Sequence, residues 1–151
     1  MKKPISIVND FEFNQNMKEK SCGWRCLHYL IPEKLSYDDF LDRYKYLTPK
    51  DRGVTYHTII SVFNYYSLNW KFTFPREDGV FFIWTRNWIE STGGHYIIYK
   101  NGYVYDTLGK KPVKYSIKRM IKKLETDDYS KQPICMELFI EKLKKKGKKD
   151  A

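Results

Sequence analysis

Helix signals fill the first half of this 151-residue chain and strand signals the second. That order predicts an α+β fold, with N-terminal helices packed on an antiparallel β-sheet. Three observations carry the prediction. A helix-like stretch runs from Ser21 to a stop at Pro32; Val80 to Trp84 is continuously apolar; and Asn101-Gly102 sits between two strand-like runs.

Residues 1–14 read as extended or irregular. A helix begins near Ser21 or Cys22 and ends before Pro32, because the residue preceding proline avoids the helical region. Ser36 opens a second helix, with Asp39 placed like the acidic partner of a capping box. Thr55 caps a third, whose Ile59, Ile60, Val62 and Phe63 predict a buried face. Trp70 to Phe74 alternates apolar and polar residues, as a half-buried strand does, and Val80 to Trp84 reads as a central strand. A basic helix is expected from about Ser116 to Glu125, while Ile134 to Leu143 fits helix or strand equally. Without repeats or a Pro/Gly/Ser linker, residues 1–141 read as one domain and residues 142–151 as a basic tail.

The Asn-Gly pair predicts a two-residue hairpin turn. Lys100 then faces Tyr103, Ile97 faces Asp106 and His95 faces Leu108. Side chains alternate between faces, so His95, Ile97, Tyr99, Val104, Asp106 and Leu108 share one side. Asp106 becomes a diagonal neighbour of His95, with α-carbons about 7 to 8 Å apart, a gap an imidazole and a carboxylate can close.

Composition narrows the classes. Hydrophobic content of 42% with 17% aromatic argues against disorder. No apolar run approaches the roughly 18 residues of a membrane helix, and no signal-peptide segment follows Lys2 and Lys3. Three cysteines at unrelated spacings argue against a disulfide framework or a zinc site. A reducing, intracellular location (cytoplasm or nucleus) is therefore expected, with no membrane association and no cofactor. The net charge of +10 is concentrated in Lys110 to Lys123 and Lys142 to Lys149. These stretches suit either a polyanion partner such as nucleic acid or a solvated helix face followed by a solubilising tail.

The chemistry-bearing residues are Cys22, His95, Asp106 and Gln15. A thiol attacks well only as thiolate, and a helix N-terminus and a nearby histidine both favour that form. Cys22 has the helix start by position; Cys26, one turn on, lacks that field and is the second choice. His95 follows two glycines that permit close approach of a substrate chain. Asp106 would hold the imidazole in place, although it also suits a turn at a strand end. Gln15 would donate to a developing oxyanion together with the backbone N–H of Cys22, a role Asn14 or Asn16 could fill instead. His28 and His57 read as structural, and Trp24, Trp84 and Trp88 as groove or core aromatics.

Gln15 to Leu30 resembles the nucleophile motif of adenovirus-type and SUMO-protease-like cysteine peptidases. His95-Tyr96 through Tyr105-Asp106-Thr107-Leu108-Gly109 to Pro112 resembles their His-Trp…Asp-Ser-Phe-Gly…Pro segment, with Tyr96 in place of tryptophan. The order Gln, Cys, His, Asp is that of papain-like enzymes, a fold related to theirs by circular permutation. The resemblance covers about a quarter of the chain. It implies a papain-like cysteine peptidase fold with Cys22, His95 and Asp106 catalytic and Gln15 in the oxyanion hole. The activity implied is peptide or isopeptide cleavage without metal, as in maturation proteases of viruses and mobile elements; a virion-associated location and a DNA cofactor also occur in that group. Two other functions stay open: a deubiquitinase or ubiquitin-like-protein protease, and a basic nucleic-acid-binding module without catalysis. The substrate is expected to be a protein or peptide, and the oligomeric state is not set by these residues.

Overall fold

A computed structural model describes residues 6–14, 21–48, 53–86, 88, 94–124 and 134–139. Within them the chain is α+β, with four helices and a six-stranded antiparallel sheet. Three helices come first: α1 (Cys22–Leu30), α2 (Tyr37–Tyr44) and α3 (Tyr56–Tyr65). Strands β1 (Trp70–Phe72), β2 (Val80–Thr85), β3 (His95–Lys100), β4 (Tyr103–Tyr105) and β5 (Val113–Lys114) follow, then α4 (Ile117–Leu124) and β6 (Ile134–Leu138). The sheet order is β1-β6-β2-β3-β4-β5. None of the helices is long and apolar enough to cross a membrane.

The helix starts follow from their caps. Ser36 Oγ accepts the Asp39 N–H at 3.1 Å, and Thr55 Oγ1 accepts the Thr58 N–H at 3.3 Å. Ser116 does the same for α4, accepting the Arg119 N–H at 3.1 Å. Asn101 and Gly102 both have positive φ, +51° and +82°, the conformation a two-residue hairpin requires. The register at the turn is the expected one, with Lys100 facing Tyr103, Tyr99 facing Val104 and Ile98 facing Tyr105. β4 ends there, and the expected partners Asp106 and Leu108 lie in a turn closed by the Gly109 N–H on the Asp106 carbonyl.

The sheet separates two cores. On one face Val80, Phe82, Tyr96, Ile98, Met136 and Leu138 pack against α1, α2 and α3 through Leu27, Phe40, Ile59 and Phe63. On the other, Phe81, Ile83, Ile97, Tyr99 and Val104 pack against Met120 and Leu124 of α4. The irregular N-terminal segment is pinned by Asn9, whose side chain donates to the carbonyls of His28 and Glu33 and accepts the Leu35 N–H.

Several expectations need correction or completion. The strand expected over Trp70–Phe74 ends at Phe72; Trp70 is half-buried against the core as expected, but Phe72 is 57% and Phe74 87% exposed. This strand is at the sheet edge with only β6 beside it, so alternation in sequence finds no second surface to bury against. The ambiguous segment from Ile134 resolves as strand to Leu138, inserted between β1 and β2. β5 was not expected. Glu125, residues 140–143 and the basic tail 142–151 lie outside the described residues.

Candidate active site

α1 places Cys22 at its first position. The Ser21 carbonyl accepts the Arg25 N–H at 2.8 Å, so the N–H groups of Cys22, Gly23 and Trp24 have no partner inside the helix. Gly23 lets α1 lie close to β3: a Cβ there would stand 2.2 Å from Val54 Cγ1 and 2.7 Å from Tyr96 Cδ2. Tyr96 is itself fixed by its hydroxyl, which donates to the Val54 carbonyl at 2.6 Å. This close seat brings Cys22 toward the start of β3, where it and His95 shift each other's titration.

The hairpin supplies the other half. His95 Nε2 lies 2.7 Å from Asp106 Oδ1, the diagonal contact that the register predicts. With Nε2 engaged by the carboxylate, Nδ1 is the nitrogen left for the thiol. The Leu108 N–H also donates to Asp106 Oδ1 at 3.0 Å, and Trp88 Nε1 donates to Oδ2 at 2.9 Å. Just beyond, the Asn14 N–H donates to the Gly109 carbonyl at 3.0 Å, tying the residue before Gln15 to the Asp106 turn. Gln15 and Asn16 lie outside the described residues.

Electrostatics separate the three cysteines. Burial pushes the Cys22 thiol up. The hydrogen bond and charge of His95, with backbone hydrogen bonds at Tyr96 and Gly23, outweigh burial and hold it below the ordinary thiol value. Cys26 is fully buried, its sulfur 3.8 Å from the Tyr96 carbonyl, and burial with the nearby Cys22 charge drives it well above that value. Burial and Glu137 push Cys135 up to about 12. Burial pulls His95 down, but Asp106 and Cys22 more than reverse this and raise it to about 9. Asp106 is raised by burial and lowered, on balance, by His95, Leu108 and Trp88. Thiolate, imidazolium and carboxylate are thus mutually supporting.

The remaining candidates fall elsewhere. His28 is buried with Nε2 2.6 Å from the Leu35 carbonyl, a structural role as expected. His57 is not structural in that sense; it is exposed and stacks on Tyr56. Trp24 is 7% exposed and packs edge-on against Phe40, so it belongs to the core and not to a groove. Trp84 is half-buried beneath Gly94, where a Cβ would meet its ring at 2.7 Å. The Trp88 bond to Asp106 had no sequence signal, since the two stand 18 positions apart with β3 and β4 between them. Among the described residues no group of three His, Cys, Asp or Glu side chains is placed to hold a metal ion. Compared by sequence, the chain matches no protein-family model and no curated protein.

Proposed function

We propose that this chain is a cysteine peptidase of papain-like architecture, with Cys22 as nucleophile, His95 as acid and base, and Asp106 as orienting acid. One observation carries the reading. The only cysteine of the three held below the ordinary thiol value is the one at a helix start beside a histidine that is itself fixed by a carboxylate. Burial alone would push Cys22 the other way, as it does Cys26 and Cys135, so the lowering reflects a specific partner.

The chemistry follows from these positions. The Cys22 thiolate attacks the scissile carbonyl carbon, and the carbonyl electron pair moves to oxygen. The N–H of Cys22 at the head of α1, which has no partner within the helix, and Gln15 as the proposed side-chain donor receive that oxyanion. Collapse of the tetrahedral intermediate breaks the C–N bond, and the leaving amine takes the proton from His95 Nδ1. The resulting thioester is attacked by water, which gives its proton to His95, and Cys22 leaves as thiolate. Asp106 stays ionised throughout and keeps the imidazole facing the sulfur.

The test is iodoacetamide labelling across pH on wild type, Cys22→Ala, Cys26→Ala and His95→Ala. Rapid labelling of a single thiol below the ordinary thiol pH, lost in Cys22→Ala, kept in Cys26→Ala and slowed in His95→Ala, is the expected result. Uniform slow labelling with an ordinary pH profile would sink the reading. Peptide libraries and ubiquitin- or SUMO-based electrophilic probes then separate peptide from isopeptide substrates.

A further inference from the structure

We infer that Trp88 is a positioning residue for Asp106 and, through it, for His95; this rests on the Cys22–His95–Asp106 reading above. A carboxylate rotates broadly about its terminal torsion. Asp106 Oδ1 serves both His95 Nε2 and the Leu108 N–H, so rotation that turns the carboxylate out of its plane would break both bonds. Trp88 Nε1 holds the other oxygen at 2.9 Å. An indole N–H donates in one direction only and cannot accept, so it fixes the carboxylate plane without competing for His95.

The indole is itself held. Its ring lies 5.6 Å from that of Tyr115 at 34°, and Lys123 Nζ stands 5.6 Å from it on α4. Tyr115 is anchored in turn: its N–H donates to the Gly102 carbonyl, its carbonyl accepts the Tyr99 hydroxyl, and Arg119 covers its ring at 3.7 Å. The orientation of the proposed base is thereby tied to the hairpin turn and to α4. A Trp serving only to fill space would satisfy its N–H on any carbonyl; this one takes the second oxygen of the carboxylate that faces His95.

The experiment follows the imidazole of His95 by NMR titration in wild type, Trp88→Phe, Asp106→Asn and the double variant. The three histidines make assignment direct, and the groups facing His95 are Asp106 and Cys22. Wild-type His95 is expected to titrate at about 9. Trp88→Phe should move it down by about one unit, equivalent to a tenfold change. The same variant should slow Cys22 alkylation at pH 7 roughly tenfold, at the low end of what a hydrogen bond to a charged group contributes. On the Asp106→Asn background Trp88→Phe should add nothing. A wild-type titration near 9 that Trp88→Phe leaves in place overturns the Trp88 assignment alone. An ordinary His95 titration in the wild type overturns it together with the catalytic reading. Benzothienylalanine at position 88, with sulfur replacing the N–H in an isosteric ring, gives the same reading should Trp88→Phe fail to fold.

Discussion

The two faces of the sheet differ in what they do for the site. The face under α1, α2 and α3 holds the larger core, with Phe40, Phe63, Phe82 and Leu27 fully buried, and it delivers Cys22. The face under α4 holds a small core around Met120 and Leu124, and the alternation of β3 puts His95 on that side with Ile97 and Tyr99. The proposed nucleophile and base therefore come from opposite layers and meet at the end of the sheet. The lesson is that stability and orientation are separable: the large core can hold α1 in place while the small one decides where the imidazole points. Substitutions on the two faces should split accordingly.

The largest effects are expected where the layers meet. Cys22→Ala should abolish labelling and hydrolysis, while Cys26→Ala, a buried thiol on the same helix, should leave the reactive thiol intact. His95→Ala should lower peptide hydrolysis about 100-fold or more, the contribution of a positioned proton-transfer group. The pH profile sharpens this further. Thiolate and imidazolium coexist from the lowered Cys22 value up to about 9, where His95 loses its proton. Alkylation, which needs only the thiolate, should persist above pH 9. Hydrolysis, which needs the imidazolium proton for the leaving amine, should fall there. Coincident alkaline limbs for the two reactions would contradict the assignment of His95 as the acid.

A core substitution on each face tests the separation itself. Phe63 is fully buried on α3 and meets Phe82 edge-on at 6.1 Å. Phe63→Ala should cost about 3 to 5 kcal/mol in a denaturant titration, with the His95 titration unchanged in the molecules that remain folded. Met120→Ala, on α4, should cost less, about 2 to 3 kcal/mol, yet move His95 because α4 backs Trp88 and Tyr115. If Phe63→Ala moves His95 and Met120→Ala does not, the division of labour is wrong.

How far sequence alone reached follows the same division. The caps at Ser36 and Thr55 and the turn at Asn101-Gly102 are local devices, written in adjacent residues, and each was legible. The His95–Asp106 contact was legible too, because a two-residue turn fixes register and register fixes faces. What could not be read depended on neighbours far along the chain. Ile134 to Leu138 became a strand because β1 and β2 flank it, a fact absent from its own apolar run. Phe72 and Phe74 stay exposed for lack of such flanking. Trp88 looked like any groove aromatic until the fold brought Asp106 to its N–H.

The smallest effect tests how the larger core braces the nucleophile. Val54 carries two contacts that matter to α1: its carbonyl takes the Tyr96 hydroxyl, and its Cγ1 stands where a side chain at Gly23 would be. The next residue, Thr55, caps α3. Thr55→Ala removes the hydrogen bonds of the Thr55 hydroxyl to the Thr58 N–H and the Thr58 hydroxyl and should cost about 1 kcal/mol of stability. Its cost should end there, because Val54 is 3% exposed and held by packing, not by the cap. The alkylation profile of Cys22 should therefore stay where it is while the denaturation midpoint falls. A Cys22 profile that shifts toward that of an ordinary thiol in Thr55→Ala would mean that the α3 cap sets the seat of α1, and that the helical layer tunes the thiolate as well as delivering it.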